Sequence, residues 1–223
     1  AGEAIVPVNG WKPGRGTDAG FSGDMGNMSG FGQNSGIPAY PPQGETLQDI
    51  EDAVKNAADT GAKDIFFYWT GHGGRTAAGE SFLVFKDVTI SPQQLADMLK
   101  KFPNVRFKVV VQGCFGGGFV DALRRSGMVD IVLTAANAIE SSYGDWDPAG
   151  DPNSGDTGSE YSSGLWEELN EIENSPELQE RAKEIAKENG WSEFVAWLTI
   201  ARESALAKDA TFRAGVRVPH RCY

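Results

Sequence analysis

Four short apolar runs recur along this chain, and the segments between them carry a helical period. The runs are "AIVPV" (residues 4–8), "DIFFYWT" (64–70), "RFKVVVQ" (106–112) and "VDIVLTA" (129–135). Most are rich in β-branched and aromatic residues, and their length suits buried strands. "SFLVF" (81–85) is a further short strand. In "ETLQDIEDAVKNAADTGAKD", Leu47, Ile50, Val54 and Ala57 fall at helical spacing, and Gly61 supplies a stop. "SPQQLADMLKKF" opens with Ser91 at a cap position and Pro92 in the first turn. "GGFVDALRRSG" (117–127) reads as a short helix closed by Gly127. Apolar runs alternating with amphipathic helices specify an α/β fold with a largely parallel sheet.

Residues 20–44 are rich in Gly, Asn, Ser and Pro, which predicts a loop with at most a broken helix. An acidic loop, "YGDWDPAGDPNSGDTGSEY", follows the last strand. It holds Asp145, Asp147, Asp151, Asn153 and Asp156, which match parts of a calcium-loop pattern, but Ala149 spoils one ligand. It is read as a solvated loop, and Asn153 offers a bond at which the chain could cut itself. From about residue 163 the chain reads mostly as helices. In the last of them Phe194, Leu198, Ala201 and Ala205 form an apolar face. The tail "GVRVPHRCY" reads as an added edge strand.

No linker divides the 223 residues, so 1–223 is expected to be one domain. The net charge of −11 argues against nucleic acid and against anionic membrane surfaces as partners. No apolar run approaches the ~18 residues of a membrane span. The chain begins at Ala1 with no visible signal peptide and is expected to be a processed form. Cys114 and Cys222 could pair, but two cysteines do not make a disulfide framework. His220 and Cys222 lack the further ligands a metal site needs, so no metal or other cofactor is expected.

Two strands end in residues that carry chemistry. "DIFFYWTGHGG" runs into His72, one of only two histidines, and "FKVVVQGCFGGGF" runs into Cys114. Ligands and catalytic groups gather at the carboxyl ends of parallel strands. A thiol beside an imidazole can lose its proton and become a nucleophile. Glycines beside both residues let main-chain N–H groups approach an oxyanion. Taken singly, a cysteine after a strand is most often a small buried hydrophobe and a histidine near a turn most often structural. The pair of strand ends is what favours chemistry.

"YWTGHGG" followed by "VVVQGCFGGGF" resembles the His-Gly and Gln-x-Cys-x-Gly signatures of caspase-like (clan CD) cysteine peptidases. "VLTAANAIESSYGDW" looks like the segment after the catalytic cysteine in legumains, the asparaginyl endopeptidases, and "NGWKPGRG" is similar to their turn after the first strand. The resemblance runs from about residue 4 to about residue 168. It implies a caspase-like three-layer sandwich and a distant, prokaryotic relative of the legumains. It makes Cys114 the nucleophile and His72 the general base or the proton donor to the leaving amine. Gly73 and Cys114 would supply oxyanion-hole N–H groups. Arg15, Gln112, Ser141, Ser142 and Glu160 would bind the substrate side chain before the cut. A guanidinium and a carboxylate in one pocket suit asparagine, which offers both an acceptor and donors.

The chain departs from the legumain pattern at three places. Pro13 stands where the family orients its histidine with an asparagine, Gly71 where it has an aspartate, and Phe115 where it has an acid. The large C-terminal prodomain of animal and plant legumains is not expected. The reading is a cysteine endopeptidase acting on peptide or protein substrates after Asn or Asp. Two alternatives stay open: a peptidase cutting after Arg or Lys, if Glu160 dominates the pocket, and an inactive pseudopeptidase that binds a peptide or protein.

Overall fold

The computed structural model describes residues 2–10, 18–86, 88–142 and 160–202, with the backbone alone described at residues 18–22, 160, 163 and 164. The four apolar runs form one parallel sheet: β1 (Glu3–Asn9), β2 (Asp64–Thr70), β6 (Arg106–Gln112) and β7 (Val129–Thr134) stand in the order β1-β2-β6-β7. β3 (Gly73–Arg75), β4 (Ser81–Val84) and β5 (Thr89–Ile90) form a separate small antiparallel sheet. The sequence signalled only β4 of these three, because strands of two or three residues leave no periodic pattern.

Alternation along β2 divides the core into two layers. Ile65, Phe67 and Trp69 face a cluster that includes Ile50 and Val54 of α2 (Leu47–Asp59), Leu95 and Leu99 of α3 (Pro92–Lys100), and Leu123 of α4 (Val120–Arg125). Phe66 and Tyr68 face the opposite cluster, with Met28 and Phe31 of α1 (Asp18–Ser35), Leu165 and Trp166 of α5 (Glu160–Glu173), and Leu198 of the helix at 193–202, α7. α6 (Pro176–Asn189) packs on α7 through Ala182, Ala186 and Ala196. The result is the three-layer α/β sandwich the sequence implied.

The helix starts follow the local code. Thr46 closes a capping box with Asp49 at the head of α2, and Ser91 does the same with Gln94 at α3. Each box satisfies two otherwise orphaned N–H groups and stabilises its helix by about 1 kcal/mol. Gly190, in the left-handed region at φ 66°, ends α6.

The segment read as a loop is a helix. α1 spans 18 residues and includes Gly20, Gly23, Gly26, Gly30 and Gly32. Each interior glycine costs a helix roughly 0.5–1 kcal/mol relative to alanine, which is why propensity pointed away from it. Burial outweighs that cost: Met28 and Phe31 are fully covered, and the Thr70 hydroxyl donates to buried Asp24 at 2.6 Å. Gly32 also has a packing reason, since a β-carbon there would sit 3.3 Å from Ile5 Cδ1 and from the Ile37 carbonyl oxygen.

At the amino ends of the strands Lys108 is fully buried on the α1–α5 side of the sheet. Its ammonium pairs with Asp64 and lies 3.1 Å from Asp130, which also binds Arg106. Two carboxylates offset the desolvation of that one cation.

Candidate active site

The sheet register brings the two chemical strand ends together. β2 and β6 pair without a shift from Asp64↔Arg106 to Thr70↔Gln112. Gly71 N then donates to the Gln112 carbonyl at 3.1 Å. His72 and Cys114 each lie two residues past this last pair. Both are buried, at 4% and 3% exposure.

Glycines set how closely the two turns approach. A β-carbon on Gly73 would fall 2.1 Å from the Cys114 carbonyl oxygen and 3.3 Å from Cys114 N. One on Gly113 would meet the Trp69 ring at 2.6 Å and the Gly71 carbonyl oxygen at 3.0 Å. Val84 N donates to the His72 carbonyl at 3.0 Å, which makes 72–84 a hydrogen-bonded pair and the next pair, Gly73↔Leu83, a non-hydrogen-bonded one. The Gly73 N–H is therefore turned away from β4. The small sheet thus clamps the histidine turn from outside while Cys114 abuts it from within.

Past Cys114 the chain turns sharply. Phe115 adopts φ 58° and ψ 20°, a left-handed conformation that a phenylalanine rarely takes. Neighbours hold it there: Phe115 N donates to the Glu140 carbonyl at 2.8 Å, and Ser81 Oγ donates to the Phe115 carbonyl at 2.8 Å. A one-turn 3-10 helix, Gly116–Phe119, follows and leads into α4. Strained backbone held by its surroundings is typical of functional turns.

Ser142 comes to the cysteine. It is buried at 4% exposure, with its Oγ 3.8 Å from Cys114 Sγ. Cys114 is disulfide-bonded in this structure. Such a sulfur has no proton to give, so the Ser142 hydroxyl is the donor. Ser141, half-buried, precedes it on the same segment.

Gln112 points to the helix layer. Its Oε1 accepts from Ser162 N at 3.1 Å and from Ser162 Oγ at 2.9 Å. Ser162 lies in the first turn of α5, where backbone N–H groups lack helical acceptors, so the Gln112 amide caps that turn. The Ser162 hydroxyl gives its one proton to Gln112, and Tyr68 OH, 2.6 Å away, therefore donates to Ser162 Oγ. Burial, and then the nearby Asp24, push the Tyr68 phenol well above its usual range, so it keeps the proton it donates. Asp24, Thr70, Tyr68 and Ser162 escaped the sequence reading. Nothing in their local pattern marks them, because their partners lie 46 to 94 residues away in the chain.

Several expected site residues lie outside this description. Arg15, the acidic loop with Asn153, His220 and Cys222 fall outside the described residues, and of Glu160 only the backbone is described, at the first position of α5. Among the described residues no cluster of His, Cys, Asp and Glu could hold a metal ion.

The comparison that decides the family covers most of this architecture. Residues 44–203 match the Peptidase C13 family, the legumain family of clan CD. The chain belongs to that family. It is a cysteine peptidase of clan CD, and such an enzyme acts on peptide or protein substrates. The matched stretch includes His72, Cys114, Ser141, Ser142 and Glu160 and begins after Arg15. No curated protein matches the chain in sequence. Among solved structures, caspase-1 from Spodoptera frugiperda superposes with a TM-score of 0.50 at 20% identity, covering 75% of this chain and 68% of that one. The Drosophila initiator caspase Dronc does so with a TM-score of 0.50 at 14% identity, covering 74% of this chain and 63% of that one. At such identities the likeness establishes the fold alone, which is caspase-like. No helix of the described residues is long and apolar enough to cross a membrane.

Proposed function

We propose that this C13 peptidase is an endopeptidase that cleaves after asparagine, with aspartate second, through Cys114 and His72. The observation that carries the proposal is the unshifted β2–β6 register, with His72 and Cys114 each two residues past its last pair and Gly73 against the Cys114 backbone. The reaction needs Cys114 as a free thiol. Its thiolate attacks the scissile carbonyl carbon, and the N–H groups of Gly73 and Cys114 receive the oxyanion. His72 protonates the leaving amine, which departs and leaves a thioester on Cys114. Water, deprotonated by His72, then hydrolyses the thioester and releases the acid product.

Substrate choice rests on the resemblance to legumains. Arg15 would donate to the side-chain carbonyl of asparagine, and Glu160 would accept from its NH2. Ser141 and Ser142 would line the pocket, and Ser142 also reaches the nucleophile. Gln112 would complete the wall and, through Ser162, anchor the helix that begins with Glu160.

The test is a set of matched peptides with Asn, Asp, Arg or Lys before the cut, assayed under reducing conditions against wild type and Cys114→Ala. Hydrolysis of the Asn peptide, absent in the variant, is the expected result. Cleavage of the Arg peptide with none of the Asn peptide would assign the pocket to basic residues. No cleavage of any peptide by reduced wild type would leave the chain a pseudopeptidase.

A further inference from the structure

Among the described residues Asp24 is the only buried carboxylate, and the proposed chemistry leaves it unused. It projects from α1, and the Thr70 hydroxyl donates to its Oδ2 at 2.6 Å, a length typical of a hydroxyl bonded to an ionised carboxylate. Its charge is felt nearby, since burial first and Asp24 second push the Tyr68 phenol upward. Packing does not explain it. An apolar side chain at residue 24, alongside Met28 and Phe31, would hold α1 on the sheet without desolvating an anion.

The position of Asp24 gives it a use. Thr70 and Gln112 are the last pair of β2 and β6, each two residues before His72 or Cys114. α5, whose first turn Gln112 caps, packs on the same side of the sheet as α1, and Phe31 stacks on Trp166 at 5.9 Å. Asp24 and Gln112 thus stand on one face at the carboxyl end of the sheet. The Gln112 amide has a fixed sense there: Ser162 N can only donate, so Oε1 faces α5. Among the described residues its NH2 donates to none, which leaves that group for a substrate oxygen. A neutral donor binds a carboxylate at least as well as an amide carbonyl, so Gln112 by itself favours aspartate over asparagine.

We propose that Asp24 is a specificity-determining residue, the buried anion that sets the pocket against aspartate and in favour of the neutral side chain of asparagine. The inference rests on the reading of this chain as an Asn-directed peptidase acting through Cys114 and His72. Neighbouring strands stand about 4.8 Å apart, which puts an oxygen on the Gln112 NH2 within about 10 Å of Asp24. Two like charges about 10 Å apart, at an effective dielectric constant of about 20, weaken binding on the order of tenfold. Buried Lys108 does not cancel this field. It lies four residues before Gln112 on β6 and is held by Asp64 and Asp130. The direction of the effect does not depend on what else meets the Asp24 carboxylate. Replacing it by an amide removes one negative charge from this face whatever its other neighbours are.

The test compares two peptides that differ only in Asn or Asp before the cut, with the reduced full chain at pH 7. Wild type should cleave the Asn peptide with a kcat/KM at least about tenfold above that of the Asp peptide. Asp24→Asn keeps an acceptor for the Thr70 hydroxyl but not the charge. In it the ratio should fall about tenfold, chiefly through a lower KM for the Asp peptide. Thr70→Val removes the hydrogen bond but not the charge and should hold the ratio within about twofold. An Asp24 that only braces the fold would instead lower both rates together and leave the ratio unchanged in Asp24→Asn. That result overturns the inference. So does a wild type that cuts the Asp peptide as well as the Asn peptide, a measurement that needs no variant to fold. In both cases the peptidase reading stands. Reduced wild type that cuts neither peptide overturns the Asn-directed reading and this inference together.

Discussion

Gly73 and Cys114 are packed so closely that no side chain fits between them: a β-carbon at residue 73 would lie 2.1 Å from the Cys114 carbonyl oxygen, a backbone atom that cannot swing aside. The contact ties the histidine turn to the cysteine turn. Gly73→Ala is therefore expected to push the two turns apart. Peptide hydrolysis should fall at least about a hundredfold, the scale of losing one oxyanion donor or misplacing a reacting group by about 1 Å. Folding, followed by thermal unfolding, should survive with a lowered Tm. A variant with wild-type kcat/KM would show that this approach is not needed for activity.

Gln112 links the sheet to the first turn of α5 through Ser162. Gln112→Leu leaves the buried Ser162 N–H without its acceptor and is expected to destabilise the fold by about 1–3 kcal/mol. Ser162→Ala removes only the hydroxyl bonds and should cost about 0.5–1.5 kcal/mol. Denaturant unfolding of the two variants checks the order. Equal costs would mean that the backbone bond contributes nothing.

Two glycines of α1 are free to be replaced. A β-carbon on Gly26 or Gly30 meets nothing within 4 Å. Gly26→Ala and Gly30→Ala should each stabilise the protein by about 0.5–1 kcal/mol, by lowering the entropy of the unfolded chain and favouring the helix. For a chain of this size that raises Tm by about 2–4 °C per kcal/mol. Gly32→Ala should gain less, because its β-carbon presses on Ile5 and Ile37. A drop in Tm for Gly26→Ala would argue against the helix itself.

Glu3 titrates above its ordinary value of 4.5, first because burial disfavours its charge and second because Asp64 is near. The native state thus holds the Glu3 proton more tightly than the unfolded chain does. That preference stabilises the fold fully below the unfolded value and is lost as pH rises through the folded one. Glu3→Gln, which has no charge to bury, should therefore be more stable than wild type at pH 7. The difference should vanish near about pH 3, where Glu3 is protonated in both states. Thermal unfolding of both proteins across that range is the check. A variant less stable than wild type at pH 7 would mean that attraction to Lys108 outweighs burial.

The sequence by itself determined the strands of the main sheet, the capped starts of α2 and α3, the strand-end positions of His72 and Cys114, and the family. These features are written in local order: the period of apolar residues, a serine or proline at a helix start, a glycine at its end, a short motif past a strand. Tertiary structure decided what depends on distant partners. α1 exists because Met28, Phe31 and Asp24 find places on the sheet, and that burial exceeds a glycine cost which local propensity alone can see. Gln112 turns toward Ser162, fifty residues on, rather than showing its direction in "VVVQGC". Phe115 enters the left-handed region because Glu140 and Ser81 grip its peptide groups. The register that sets His72 beside Cys114 is likewise a property of the sheet. A single strand records which residues face inward, and only pairing with its neighbour decides which two ends meet.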